Sequence, residues 1–119
     1  MLFRSTFQPD SDHRWMSSAT FDKAGNIAIG YSLSSASRFP SIAVTGRLAG
    51  DPLGQLTQGE TIVHTGTGSQ TGGLTRWGDY ASMNIDPADD CTFWFSTEYL
   101  KSNGSWNWST RIEIGRAHV

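Results

Sequence analysis

One strand–turn–strand pattern occurs twice in this chain. Ile27-Ala28-Ile29-Gly30-Tyr31-Ser32-Leu33-Ser34 sets large apolar residues against small or polar ones in strict alternation, which is the signature of a half-buried β-strand. Asp22-Lys23-Ala24-Gly25-Asn26 reads as a tight turn before it, and Ser17-Ser18-Ala19-Thr20-Phe21 as its hairpin partner. Placing Asp22 over Asp86, an offset of 64 residues, brings Ser18 to Ser82, Phe21 to Ile85, Ala24 to Ala88, Ile27 to Cys91, Ile29 to Phe93, Tyr31 to Phe95 and Ser32 to Ser96. Arg14-Trp15 and Arg76-Trp77 head the two copies, out of register by two residues. A single twisted sheet has two faces and cannot bury both alone, so each copy needs a neighbour.

The remaining segments complete the two units. Ser41-Ile42-Ala43-Val44-Thr45-Gly46-Arg47 is a third strand after Pro40, and Glu60-Thr61-Ile62-Val63-His64-Thr65 a short fourth. The glycine-rich run at 66–73 is a loop. In the second copy, Arg76-Trp77 opens a stretch that ends at Asp86. Residues 87–90 turn, Cys91-Thr92-Phe93-Trp94-Phe95-Ser96 is rich in β-formers, and 106–112 alternates with Trp106, Trp108, Thr110 and Ile112 on one side. No segment carries a helical period. The expectation is an all-β chain made of about two consecutive antiparallel blades of a β-propeller. Residues 15–65 form one blade and 77–112 three strands of a last blade. Residues 1–8 form the outer strand of an earlier one. Small residues at Ser17, Ser18, Ala28, Gly30 and Ala81 let the inner strands approach closely.

Composition excludes several classes. Nine Lys and Arg stand against eleven Asp and Glu, a net charge of −2 that argues against a module working by phosphate neutralisation. Five Trp, three Tyr and six Phe are too many aromatics for a disordered chain. No apolar run approaches the ~20 residues of a membrane span.

The ends carry their own signals. Glu113-Ile114-Gly115-Arg116-Ala117-His118-Val119 is the translation of a common short-read sequencing adapter in one frame. Residues 113–119 are therefore expected to be an adapter-derived tail, and the chain a piece of a longer protein. The segment 1–8 lacks the apolar stretch of a signal peptide, and Met1 reads as an internal methionine taken as a start.

Arg76-Trp77-Gly78-Asp79-Tyr80-Ala81-Ser82-Met83-Asn84-Ile85-Asp86 resembles the opening of an inner strand in bacterial sialidase-like (BNR-type) propellers. The stretch from His13-Arg14-Trp15-Met16 to Tyr31-Ser32 resembles the preceding blade. Neither turn carries that family's Asp-box pattern Ser-x-Asp-x-Gly-x-x-Trp. The resemblance implies a secreted, extracellular parent that binds a carbohydrate or other cell-surface ligand, or acts as a scaffold, and that needs the missing blades of its own chain. The alternative is a glycoside hydrolase of exo-sialidase type, with most catalytic residues outside this chain.

True sialidases use a tyrosine nucleophile and an arginine cluster around the substrate carboxylate, and arginine suits that task because its planar fork binds a carboxylate bidentately. The candidates here are Tyr80, Asp79, Arg76 and Arg14. In the structural alternative Tyr80 packs between blades, Asp79 caps a loop and the arginines stack on neighbouring indoles. Trp15 and Trp77 are candidates for stacking on a sugar; tryptophans alternating in strands also serve as inter-blade core. Asp86, Asp89 and Asp90 crowd one turn without a calcium-loop spacing. The histidines lack zinc spacing, and the glycine run lacks a phosphate-binding fingerprint. No metal or cofactor is expected. Cys91 stands alone, either as a small buried hydrophobe or as the partner of a cysteine elsewhere in the parent.

Overall fold

The computed structural model describes residues 6–117. These residues form seven strands in two antiparallel sheets and no helix. The first sheet runs β1 (His13–Phe21), β2 (Ile27–Ser35), β3 (Arg38–Arg47), β4 (Thr61–His64) in spatial order. The second runs β5 (Ser82–Ile85), β6 (Thr92–Leu100), β7 (Trp108–Arg116). This is the all-β class expected, with a sheet of four strands followed by one of three. No helix among the described residues is long and apolar enough to cross a membrane. Residues 6–8 lie in no strand, and the rest of the strand expected over 1–8 falls outside the described residues.

Aspartates build the two hairpin turns. Asp22, 4% exposed, accepts the amide protons of Ala24 and Asn26 at 2.9 Å each and the Asn26 side-chain amide at 2.8 Å. Gly25 supplies the positive φ of 84° that the turn requires. In the second turn Asp86 accepts from Ala88 N–H at 2.8 Å, and Asp89 accepts from the amides of Cys91 and Thr92 and from the Thr92 hydroxyl. Asp90 takes the left-handed conformation there, with φ 55°. The second turn is the longer one. Phe21 pairs with Ile27, whereas Ile85 pairs with Phe93. The repeat offset of 64 therefore holds before the turn only. Beyond it Ile27 corresponds to Phe93 and not to Cys91, because Asp89 and Asp90 add two residues to the turn.

Three strand boundaries also differ from the sequence reading. Residues 76–80 form a loop, and β5 starts only at Ser82. Trp106 lies in the preceding turn with φ 61°, its ring edge-on to Trp108 at 5.3 Å. β7 does not end at Ile112; it runs on to Arg116, whose guanidinium bonds the Thr92 hydroxyl at 2.8 Å and Asp89 at 2.6 Å. The Arg116 side chain is 61% exposed despite these bonds. The remaining tail residues His118 and Val119 lie outside the described residues.

The core follows from the alternation of β2. Its even positions face the second sheet. Ile42, Met83, Phe93 and Phe95 form the core between the sheets, with Ala28, Val44 and Val63 packed on it. Gly30 sits under the Phe95 ring, and a Cβ at that position would lie 2.5 Å from the ring carbons. β1 touches β5 directly, where Met83 N–H donates to Ser18 Oγ at 2.9 Å. The odd positions of β2 face the other way. Tyr31 and Leu33 join Ala43 in a second cluster, covered by Phe7, Ile29 and Ile62. The outward face of the second sheet is bare: Trp94, Ile112 and Ile114 are all exposed.

Candidate functional site

A β-bulge between Trp15 and Ser18, with Met16 at φ 51°, sets the direction of the residues at the head of β1. Arg14 opposes Leu33 and Trp15 opposes Ser32, so their side chains leave the sheet on opposite faces. Arg14 turns towards the Tyr31 cluster. Its Nε and Nη2 donate to the two oxygens of Glu60 at 2.7 and 2.8 Å, and its Nη1 donates to Asp10 at 2.9 Å and to the Asp12 carbonyl at 2.8 Å. The Tyr31 hydroxyl donates to the same Glu60 at 2.5 Å. The bidentate bond from Arg14 holds the Glu60 carboxyl below the usual range even though burial opposes this. Burial, reinforced by the Glu60 charge, pushes the Tyr31 phenol up. The Arg14 side chain is 9% exposed and that of Glu60 14%. The guanidinium is fully engaged by these groups. The Arg14 guanidinium carbon lies over Phe7, 5.9 Å from the ring centroid, and among the described residues over no tryptophan.

Trp15 turns towards the second sheet. Its indole N–H donates to Ser34 Oγ at 3.2 Å, and its ring meets Trp77 edge-on, with centroids 4.9 Å apart. The fold thus brings together the two tryptophans that head the repeats, Trp15 from β1 and Trp77 from the loop that leads into β5. The loop that carries Trp77 is otherwise open to solvent. Tyr80 is 90% exposed, and Arg76 and Asp79 form an exposed ion pair. Beneath the loop, Glu98 of β6 lies so close to Gly78 that a Cβ there would stand 2.1 Å from its Oε1. Burial raises the Glu98 carboxyl above its ordinary value, and the nearby Asp79 charge acts in the same direction. Trp77 Nε1 and Glu98 Oε1 are both buried without a hydrogen-bond partner.

Trp15 and Trp77 therefore meet at one corner, and Arg76, Asp79 and Tyr80 lie exposed on the loop that carries Trp77. Arg14 belongs to a separate network on the far face of the first sheet. Sequence reasoning singled out neither Glu60 nor Tyr31 nor Glu98. Glu60 lies 46 residues from Arg14 and 29 from Tyr31, so no local pattern could join them. Among the described residues no three His, Cys, Asp or Glu side chains are placed to hold a metal ion. In the crowded turn the Asp86 and Asp89 carboxylates are taken up by amide protons.

A cavity of about 310 Å³ opens between the sheets at the opposite end from the tryptophan corner. Val44, Val63, Met83, Phe93 and Phe95 line it, with the end of β7 as one wall. Its floor is apolar, and Arg47, Gln58, Glu113 and Arg116 stand among its remaining lining residues. Searches against known protein families, curated proteins and solved structures find no match to this chain.

Proposed function

We propose that this chain supplies two consecutive blades of a secreted, sialidase-like β-propeller that works as a non-catalytic carbohydrate-binding or scaffold module outside the cell. The observation that carries the reading is the corner at which Trp15 of the first sheet meets Trp77 of the loop entering the second, with Tyr80 exposed on the same loop as the Arg76–Asp79 pair. An exposed aromatic flanked by a charged donor and acceptor is chemistry that binds a sugar ring by stacking and holds its hydroxyls. Contact between β1 and β5, with Gly30 flat against Phe95, is the close approach that inner strands of adjacent blades need. The engagement of Arg14 by Glu60 and Asp10 favours binding over hydrolysis, because that guanidinium is not free to clamp a substrate carboxylate.

The test is glycan binding by the purified chain, by Tyr80→Ala and by Trp77→Ala, with fluorophore release from a sialoside measured alongside. The expected result is weak binding that Tyr80→Ala abolishes, and no release. Binding that survives loss of Tyr80 would remove the corner from the reading. Release of fluorophore that a Tyr80→Phe variant lacks would replace it with the sialidase reading.

A further inference from the structure

The strand β7 ends the second sheet, and no strand among the described residues pairs with its outer edge. It is nine residues long, and residues 110–112 and 114–116 are exposed. The outward face beside it is apolar, with Ile112 58% and Ile114 56% exposed and Trp94 on the neighbouring strand. A long, exposed edge with an apolar face is a template for pairing with another strand.

The sequence of β7 says which strand. When a strand pairs antiparallel with a copy of itself about a two-fold axis, opposed residues must point to the same face, so the register centres on one residue. Centring on Ile112 is the register that matches all nine positions. It sets Trp108 against Arg116, Thr110 against Ile114 and Ile112 against its own copy, and it opposes Arg111 to Glu113 twice. Centring on Arg111 puts arginine against arginine, and centring on Glu113 puts glutamate against glutamate. Like charges directly opposite destabilise a pair, and opposite charges support it. Arg111 and Glu113 already form an ion pair within one strand, so a second copy would extend it to four alternating charges.

We infer that β7 is a docking edge for a second copy of this chain, paired antiparallel and centred on Ile112, with Arg111 of each copy against Glu113 of the other. The eighteen-residue ladder continues the sheet across the axis and brings the two Ile112–Ile114 stripes together. The inference does not rest on the propeller reading. It is a property of the 119-residue chain whatever the origin of residues 113–119.

Charge reversal tests it, because Arg111 and Glu113 are partly exposed, at 42% and 23%, and neither is among the buried core residues, although Glu113 also lines the cavity between the sheets. Sedimentation equilibrium of the full chain is expected to show a monomer–dimer equilibrium that weakens as salt is added. Glu113→Arg and Arg111→Glu are each expected to weaken dimerisation by roughly tenfold or more, since two favourable cross-strand pairs become two repulsive ones. An equimolar mixture of the two variants is expected to restore the dimer, because each reversed charge then meets its opposite. The doubly swapped chain, with both reversals in one molecule, is expected to dimerise like the parent. A chain that stays monomeric at all concentrations would overturn the inference, leaving the edge to a strand of some other origin. A dimer indifferent to both single reversals, or a mixture that fails to restore pairing, would overturn it as well. Circular dichroism of each variant separates lost pairing from lost folding.

Discussion

Gly30→Ala should test how closely the two sheets are fitted together. The added Cβ would stand 2.5 Å from Phe95 Cδ1 and Cε1 and 2.6 Å from Cγ. Real carbon–carbon contacts begin about an ångström further out. Phe95 is 1% exposed and cannot swing into solvent. The backbone of Gly30 is pinned on both sides, by Ser18 of β1 and Val44 of β3. Forcing a methyl into a packed core costs about 1–3 kcal/mol. Replacing glycine within a strand returns about 0.5–1 kcal/mol of unfolded-chain entropy. The net loss expected is about 1–2 kcal/mol, a fall in Tm of roughly 4–8 °C for a domain of this size. Urea denaturation of the parent, Gly30→Ala, Phe95→Leu and the double variant measures it, with an unchanged m-value showing that the unfolding reaction is the same. Phe95→Leu removes the ring that the methyl strikes, so the double variant should be about 1 kcal/mol more stable than the two single losses predict. A Gly30→Ala chain within about 0.5 kcal/mol of the parent, or strictly additive losses, would refute the argument that Phe95 requires glycine at this position.

Asp22→Ala removes the acceptor for two turn amides and the Asn26 side chain, and should cost about 2 kcal/mol in urea denaturation, against under about 0.5 kcal/mol for the exposed Asp10→Ala. Glu60→Ala leaves the Arg14 guanidinium with Asp10 and the Asp12 carbonyl and should cost about 3 kcal/mol, several times the loss in Tyr31→Phe, which removes one hydrogen bond and keeps the ion pair. His64 packs edge-on to Tyr99 at 4.2 Å; burial, helped by Arg111 and opposed by Glu113, lowers its pKa, so the fold favours the neutral ring. Its stability is fully present above about pH 6.5 and falls as the pH drops from there towards the lowered native value, a slope that His64→Leu should flatten. Ending the chain at Ile112 removes four residues of the β6–β7 ladder, and monomer stability should change by no more than about 1 kcal/mol, because ladder bonds gained and chain entropy lost nearly cancel.

The sequence carried the class and the order of the strands because both depend on local pattern. The alternation of 27–34, the Asp22 and Asp86 turns and the punctuation at Pro40 and the glycine-rich run place six of the seven strands to within a few residues. What failed was counting through the second turn. The Asp89 carboxylate bonds the Cys91 and Thr92 amides and enlarges the loop by two residues, a choice made by side-chain hydrogen bonds that alternation does not record. Residues 76–80 failed for a different reason. Arg76-Trp77 was aligned on Arg14-Trp15, but only the first pair lies in a strand; the second is anchored by Trp77 reaching across to Trp15. The candidate residues were legible as residue types, whereas their grouping was not. Alternation along β1 separates Arg14 from Trp15, and the partner that captures Arg14 comes from the segment leading into β4, 46 positions away.

The two sheets are finished to different degrees, and the difference bears on how the chain would be used. The first sheet packs one face on Met83, Phe93 and Phe95, and Phe7 covers the Tyr31–Leu33 part of the other, leaving Phe21 and Phe39 exposed. The second sheet is covered on one face only, and the bare Trp94–Ile112–Ile114 face meets at β7 an edge that no strand among the described residues pairs. Neighbouring blades of a propeller cover faces, and a fourth strand covers the edge, so the proposed architecture asks for a strand and a sheet at this one place. Residues 113–116 extend that edge at little cost because strand pairing is made chiefly by main-chain groups that any residue but proline presents. The same indifference to sequence is the hazard. A nine-residue edge that accepts a strand of almost any composition accepts a copy of itself whenever the charges agree, and Arg111 and Glu113 make them agree.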